Sequence, residues 1–164
     1  MSASPGPAPH SRPAMLVATF GGIGLLPGAP GTWGSLIALP LAFALMALGG
    51  RALLLAAAVA LFAAGCWAAG RYASATGVHD PGSVVVDEVA GQWLTLLGGG
   101  LAMGWRGFLM GFVLFRLFDI VKPWPVSLAD RRVPGGFGVM LDDGLAAIYA
   151  GIALHLLLPL IARL

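Results

Sequence analysis

Charge is what this chain most lacks. Charged residues make up 10% of its 164 residues, against roughly 25% in a soluble globular domain. Hydrophobic residues reach 59% and the mean hydropathy is +0.90. So little charge cannot coat a water-facing surface, and much of the exterior is expected to face lipid. A net charge of only +2 argues against nucleic acid as a partner. Cysteine is almost absent: Cys66 stands alone in an apolar run, which excludes an internal disulfide and reads as a small buried hydrophobe. Lysine occurs once, as Lys122. Residues 1–14 lack the charged start and apolar core of a signal peptide. They are rich in Pro, Ala and Ser and read as a disordered tail, ahead of one helical membrane domain over residues 15–164.

The expected fold is all-α, a multi-spanning helical membrane protein with four to five apolar helices and its polar loops gathered on one face. Five apolar segments carry this reading, at about residues 35–49, 52–70, 89–105, 107–121 and 144–162. A helix needs about 20 apolar residues to cross the hydrocarbon core. The second and fifth segments meet that alone; the others need protein neighbours or end near the interface. Strands are excluded by run length, by the Ala, Leu and Gly content, and by the lack of period-two alternation. An open sheet in lipid would also leave backbone groups unpaired.

Acid is missing from both ends of the chain. All seven acidic residues, Asp80, Asp87, Glu88, Asp119, Asp130, Asp142 and Asp143, fall between positions 80 and 143. Acids placed for solubility would be scattered, so this grouping points to a site. If each segment crosses once, every polar, Gly-rich loop lands on one side of the membrane, and the other side receives tight turns. The loop-rich side carries Arg12, Arg71, Lys122, Arg131 and Arg132, against Arg51, Arg106 and Arg163 opposite. That excess places the loop-rich face in the cytoplasm by the positive-inside rule.

Four stretches carry chemistry. Residues 21–35 form a Gly/Pro-rich loop entering a helix, with Thr32 as its N-cap. Free backbone N–H groups at a helix start attract phosphate, so Thr32 and Ser35 are candidate substrate contacts; an ordinary capped loop is the plainer reading. No Walker lysine is present. Next, Asp87 and Glu88 sit at the mouth of the third helix, where carboxylates suit the positive end of the dipole. With Asp80 nearby they also supply the hard oxygen ligands that Mg²⁺ prefers. His79 reads equally as an acid/base group or an interfacial histidine. Third, Arg116 and Asp119 share a helix face within an apolar segment, where charges are costly and face a partner or a polar cavity. Arg116 is a candidate for holding phosphate, with Asp119 orienting it at the substrate site or sharing the metal. Lys122, whose direction is set by the helix-stopping Pro123, is another phosphate candidate; an ion pair and snorkelling are the alternatives. Finally, a Gly-rich loop over residues 135–144 ends in Asp142 and Asp143. Adjacent like charges repel unless a cation is present. Asp130, beside Arg131 and Arg132, reads as part of a solvated loop.

The runs "GLLPGAPGTWGS", "GVHDPGSVVVDEVAGQWLTLL" and "FRLFDIVKPWPVSLADRRVPGGFGVMLDD", in that order, resemble the phosphatidylglycerophosphatase A family over about residues 15–155. The resemblance implies an all-α, magnesium-dependent enzyme of the bacterial inner membrane that hydrolyses phosphatidylglycerophosphate to phosphatidylglycerol and phosphate. It carries an acidic signature onto Asp80, Asp87, Glu88, Asp119, Asp142 and Asp143.

Residues and resemblance together give a working scheme. Asp87, Glu88, Asp142 and Asp143, helped by Asp80, bind one or two Mg²⁺, while Arg116 and Lys122 hold phosphate oxygens. The acyl chains of the phospholipid stay in the bilayer. The DxDxT pattern of phosphoaspartyl enzymes is missing, which favours direct attack by water. A CDP-alcohol phosphotransferase would need a longer spaced array of aspartates, and a cation transporter would place charges at mid-membrane in several helices.

Overall fold

The computed structural model describes residues 12–78 and 81–161. Among these residues every regular element is helical. The helices are α1 (Arg12–Ala18), α2 (Pro30–Thr76), α3 (Val86–Leu96), α4 (Gly104–Val121), α5 (Val126–Arg132) and α6 (Gly135–Ile161). Three of them, α2, α6 and the stretch Leu101–Val121 containing α4, are long and apolar enough to cross a membrane.

Helix α2 is a hairpin. Its backbone leaves the helical region at Gly49 (φ −151°, ψ 21°) and Gly50 (φ 65°, ψ −161°), the latter a conformation that side-chained residues rarely adopt. Gly34 packs against Val85, and Gly65 against Val86. On a straight helix those two glycines would stand about 45 Å apart. Both reach neighbouring residues at the start of α3, so arm 30–48 and arm 51–76 run antiparallel. The helix begins at Pro30, not near Ser35, because proline at the first helical position needs no N–H partner and has its φ already set.

The third apolar segment was expected to run to residue 105; α3 stops at Leu96. Three consecutive glycines follow, and Gly100 takes φ 73°. At 11 residues α3 is about 16 Å long, roughly half the hydrocarbon core. Carbonyls just beyond its end find partners from other helices. Arg51 Nη2 donates to Gly99 O at 2.7 Å, and His155 Nδ1 lies 3.2 Å from Gly98 O. A broken helix is tolerated at membrane depth only when its backbone groups are met in this way.

Two further differences bear on the site. The segment 122–143, expected as a loop, contains the short helix α5, whose Val126 and Ala129 are buried. Helix α6 starts at Gly135, nine residues before the expected start, so Asp142 and Asp143 lie on the helix and not ahead of it.

Many alanines face inward, and many large apolar residues face outward. Ala38, Ala42, Ala58, Ala68, Ala69, Ala146, Ala147 and Ala150 are all but inaccessible, while Leu48, Trp105, Ile120 and Leu156 are each at least 70% exposed. With lipid outside there is no hydrophobic drive between helices, and close backbone packing over small residues takes its place. One close backbone approach joins α6 to the second arm of α2. A Cβ on Gly136 would overlap the Cys66 carbonyl oxygen and the Gly70 nitrogen, both backbone atoms. Gly136→Ala is therefore expected to lose about 1–3 kcal/mol of stability, read as a lower thermal midpoint in detergent; an unchanged midpoint would show that this contact does not hold the helices.

Candidate active site

The site forms where the N-terminal ends of α2, α3 and α6 meet the C-terminal end of α4. The start of α3 is fixed from behind. Val85 N–H donates to Ala18 O at the end of α1 (2.9 Å), and the hydroxyls of Tyr72 and Ser83 lie 3.1 Å apart. Gly24 lies flat against the Ser83 carbonyl, where any side chain would collide. The Gly-rich loop after α1 thus braces the segment that delivers Asp87 and Glu88.

Asp87 and Glu88 occupy the first turn of α3, and Asp143 comes from α6. One carboxylate oxygen from each lies within 4.8 Å of the other two. Asp87 and Asp143 are buried. Glycines make this approach possible. A Cβ on Gly91, one turn below Asp87, would strike the Phe115 ring and crowd the Asp143 carbonyl oxygen (3.2 Å). A Cβ on Gly31, in the first turn of α2, would fall on Glu88 Oε1.

Cations border the cluster. Arg116 Nη1 lies 2.7 Å from Asp119 Oδ2 and 3.7 Å from Glu88 Oε1. The first is an ion pair by distance only, because the Arg116 N–H bonds are not aimed along it: Nη1 and Nε both lack a hydrogen-bond acceptor. Lys122 Nζ donates to Asp142 Oδ2 and to Asp130 Oδ1, each at 2.6 Å. Burial would lower the Lys122 pKa, but those two hydrogen bonds outweigh it and hold the ammonium above its ordinary value. Burial raises the Glu88 carboxyl well above the usual range. The Asp87 charge adds to this, and Arg116 offsets part of it.

The fit to a metal ion follows from the oxygens left over. Glu88 Oε2 and Asp143 Oδ2 are buried and lack a hydrogen-bond partner among the described residues. Three carboxylates gathered in a low-dielectric interior repel strongly, and an all-oxygen set of this kind suits a hard divalent cation. Asp87, Glu88 and Asp143 can hold a metal ion.

The remaining candidates are distributed as follows. Asp142 and Asp143 are consecutive on a helix and so point about 100° apart; Asp143 joins the cluster and Asp142 turns to Lys122. Asp119 pairs with Arg116. Thr32 is not the N-cap of α2; Ala29 holds that place, and Thr32 sits half-buried inside the first turn. Ser35 is fully buried and returns its hydroxyl to Gly31 O at 2.9 Å. His79 and Asp80 lie outside the described residues. Asp130, read from sequence as part of a solvated loop, instead shares Lys122 with Asp142. Only the fold of α5 brings it there. Gln92, one turn below Glu88, was also missed: it is fully buried and neither amide atom has a hydrogen-bond partner among the described residues.

With this geometry in place, comparison with known proteins is decisive. The family model described as phosphatidylglycerophosphatase A matches residues 16–158. The chain belongs to the phosphatidylglycerophosphatase A family. It is 42% identical over 139 residues to the phosphatidylglycerophosphatase A of Haemophilus influenzae, covering 85% of each chain. It is 39% identical over 138 residues to that of Escherichia coli K12, covering 84% of this chain and 79% of the relative. A Bacteroides thetaiotaomicron protein named "Putative phosphatidylinositol-3-phosphatase" is 44% identical over 141 residues, covering 83% of this chain and 87% of its own. No solved structure matches the chain.

The unpaired Gln92 amide generates a test. Replacing a buried unsatisfied amide by an apolar side chain of similar shape is neutral or stabilising. Gln92→Met is expected to keep stability or raise it by up to about 1 kcal/mol, read as an unchanged or higher thermal midpoint. A clear fall would overturn the reading of this amide as unsatisfied.

Proposed function

We propose that this protein hydrolyses phosphatidylglycerophosphate to phosphatidylglycerol and inorganic phosphate at a magnesium centre held by Asp87, Glu88 and Asp143. The observation that carries the reading is the convergence of those three carboxylates within 4.8 Å, bordered by Arg116 and Lys122. Family membership supports the choice of lipid.

Magnesium bound there would neutralise phosphate oxygens and lower the pKa of a bound water. The protein's own groups do the rest. Arg116 has N–H bonds with no acceptor among the described residues, and these meet the equatorial oxygens of the phosphomonoester. Asp119 keeps that guanidinium in place from the same helix face. Lys122, steadied by Asp142, holds another phosphate oxygen. A carboxylate oxygen of the cluster takes the proton of the attacking water. Hydrolysis breaks the bond between phosphorus and the glycerol oxygen; water adds OH to phosphorus, and a proton goes to the alkoxide. Asp80 and His79 enter the proposal on sequence grounds, as a further acid and a proton carrier. The exposed Leu, Ile and Val surface keeps the acyl chains in the bilayer. The excess of basic residues on the loop-rich side supports the cytoplasmic face of a bacterial inner membrane as the location of the site.

Purified protein in detergent is expected to release phosphate from phosphatidylglycerophosphate, and EDTA is expected to stop it, with recovery on adding Mg²⁺. Phosphatidylinositol 3-phosphate, tested in parallel, decides between the two lipid classes named among the relatives. Asp87→Asn and Asp143→Asn are each expected to cost at least about a hundredfold in kcat while the protein still folds, the scale for losing one preorganised electrostatic group. Near-normal turnover in both would sink the assignment. Gly31→Ala, which forces Glu88 aside, is expected to lower kcat about tenfold or more with little change in thermal midpoint; equal loss of both would make Gly31 merely structural.

A further inference from the structure

We propose that Asp130 is a positioning residue for the reaction: with Asp142 it holds the Lys122 ammonium so that one N–H remains for a phosphate oxygen. The inference rests on the hydrolase reading above.

Lys122 ends α4 in the left-handed region, with φ 47° and ψ 61°, an uncommon conformation for a residue with a side chain. Its N–H still closes the helix on Phe118 O (2.9 Å), and Pro123 prevents continuation. The side chain thereby bridges three elements. Its Nζ lies 2.6 Å from Asp130 Oδ1 on α5 and 2.6 Å from Asp142 Oδ2 on α6. An ammonium has three N–H bonds. Among the described residues two are taken, and one is left.

Exposure grades across the clasp. The Asp130 side chain is 37% accessible, Lys122 29% and Asp142 9%. The clasp thus lies where water meets the buried acids, within reach of a headgroup phosphate arriving from the water side. A lysine stem is flexible, and holding it in advance removes an ordering cost from substrate binding. A pair this exposed adds little to folding stability, so the consequence of losing Asp130 belongs in substrate binding.

The test compares Asp130→Ala, Asp130→Asn, Asp130→Glu, Lys122→Ala and the Lys122→Ala/Asp130→Ala double variant, by steady-state kinetics in mixed micelles and by thermal midpoint. Because Lys122 is the only lysine, amine labelling read on its peptide by mass spectrometry reports its restraint without reference to activity. Asp130→Ala is expected to raise KM about tenfold with kcat within about threefold, to leave the midpoint unchanged, and to label Lys122 several-fold faster. Asp130→Glu recovers most of the KM, and Asp130→Ala adds nothing once Lys122 is gone. Three results overturn the proposal: an unchanged or lowered KM, the same loss in the Lys122→Ala background, or a loss tracking a fallen midpoint in both Asp130→Ala and Asp130→Asn. Wild-type protein that releases no phosphate overturns the hydrolase reading instead, and the labelling rates still decide whether the clasp exists.

Discussion

Three carboxylates held together away from water are the constraint on which the rest of this structure turns. Asp87, Glu88 and Asp143 are brought within 4.8 Å by two helices, in a part of the bundle where each charge is poorly solvated. Like charges so placed cost several kcal/mol unless a cation offsets them or protons neutralise them. The surroundings meet part of that cost. Arg116 stands between Glu88 and Asp119, and the dipole of α3 favours negative charge in its first turn. Among the described residues two carboxylate oxygens are still left unmet, and the cluster they belong to can hold a metal ion.

The approach of these acids depends on what is missing around them. Gly31 admits Glu88, Gly91 admits the backbone at Asp143, and Gly24 admits the loop that starts α3. Further down, Gly98 meets Gly151 backbone to backbone, and Gly136 meets Cys66 and Gly70. In lipid, apolar side chains gain nothing by leaving their surroundings, so close contact over small residues becomes the main source of cohesion. The same packing therefore stabilises the bundle and sets the spacing of the acids.

Much of this was legible in the residues. Low charge and long apolar runs specify helices in lipid. Clustering of every acid between positions 80 and 143 marks a functional region, and the quoted motifs resemble the family to which the chain belongs. Other features were not legible. The end of α3 at Leu96 depends on Arg51 and His155 reaching carbonyls from distant helices. The early start of α6 turns an apparent acid pair into two side chains with different neighbours. The partnership of Asp130 with Lys122 requires α5, whose seven residues show too little periodicity to be seen in sequence.

Composition and local pattern were enough to decide the solvent and the helical class, because these follow from transfer energies and backbone satisfaction summed over many residues. Which oxygen faces which cation was decided only by the tertiary structure. A rotation of 100° between neighbours on a helix, or a missing Cβ at a crossing, changes a contact by several ångströms. Distances of that size arise from how whole helices pack, and no short stretch of chain contains them.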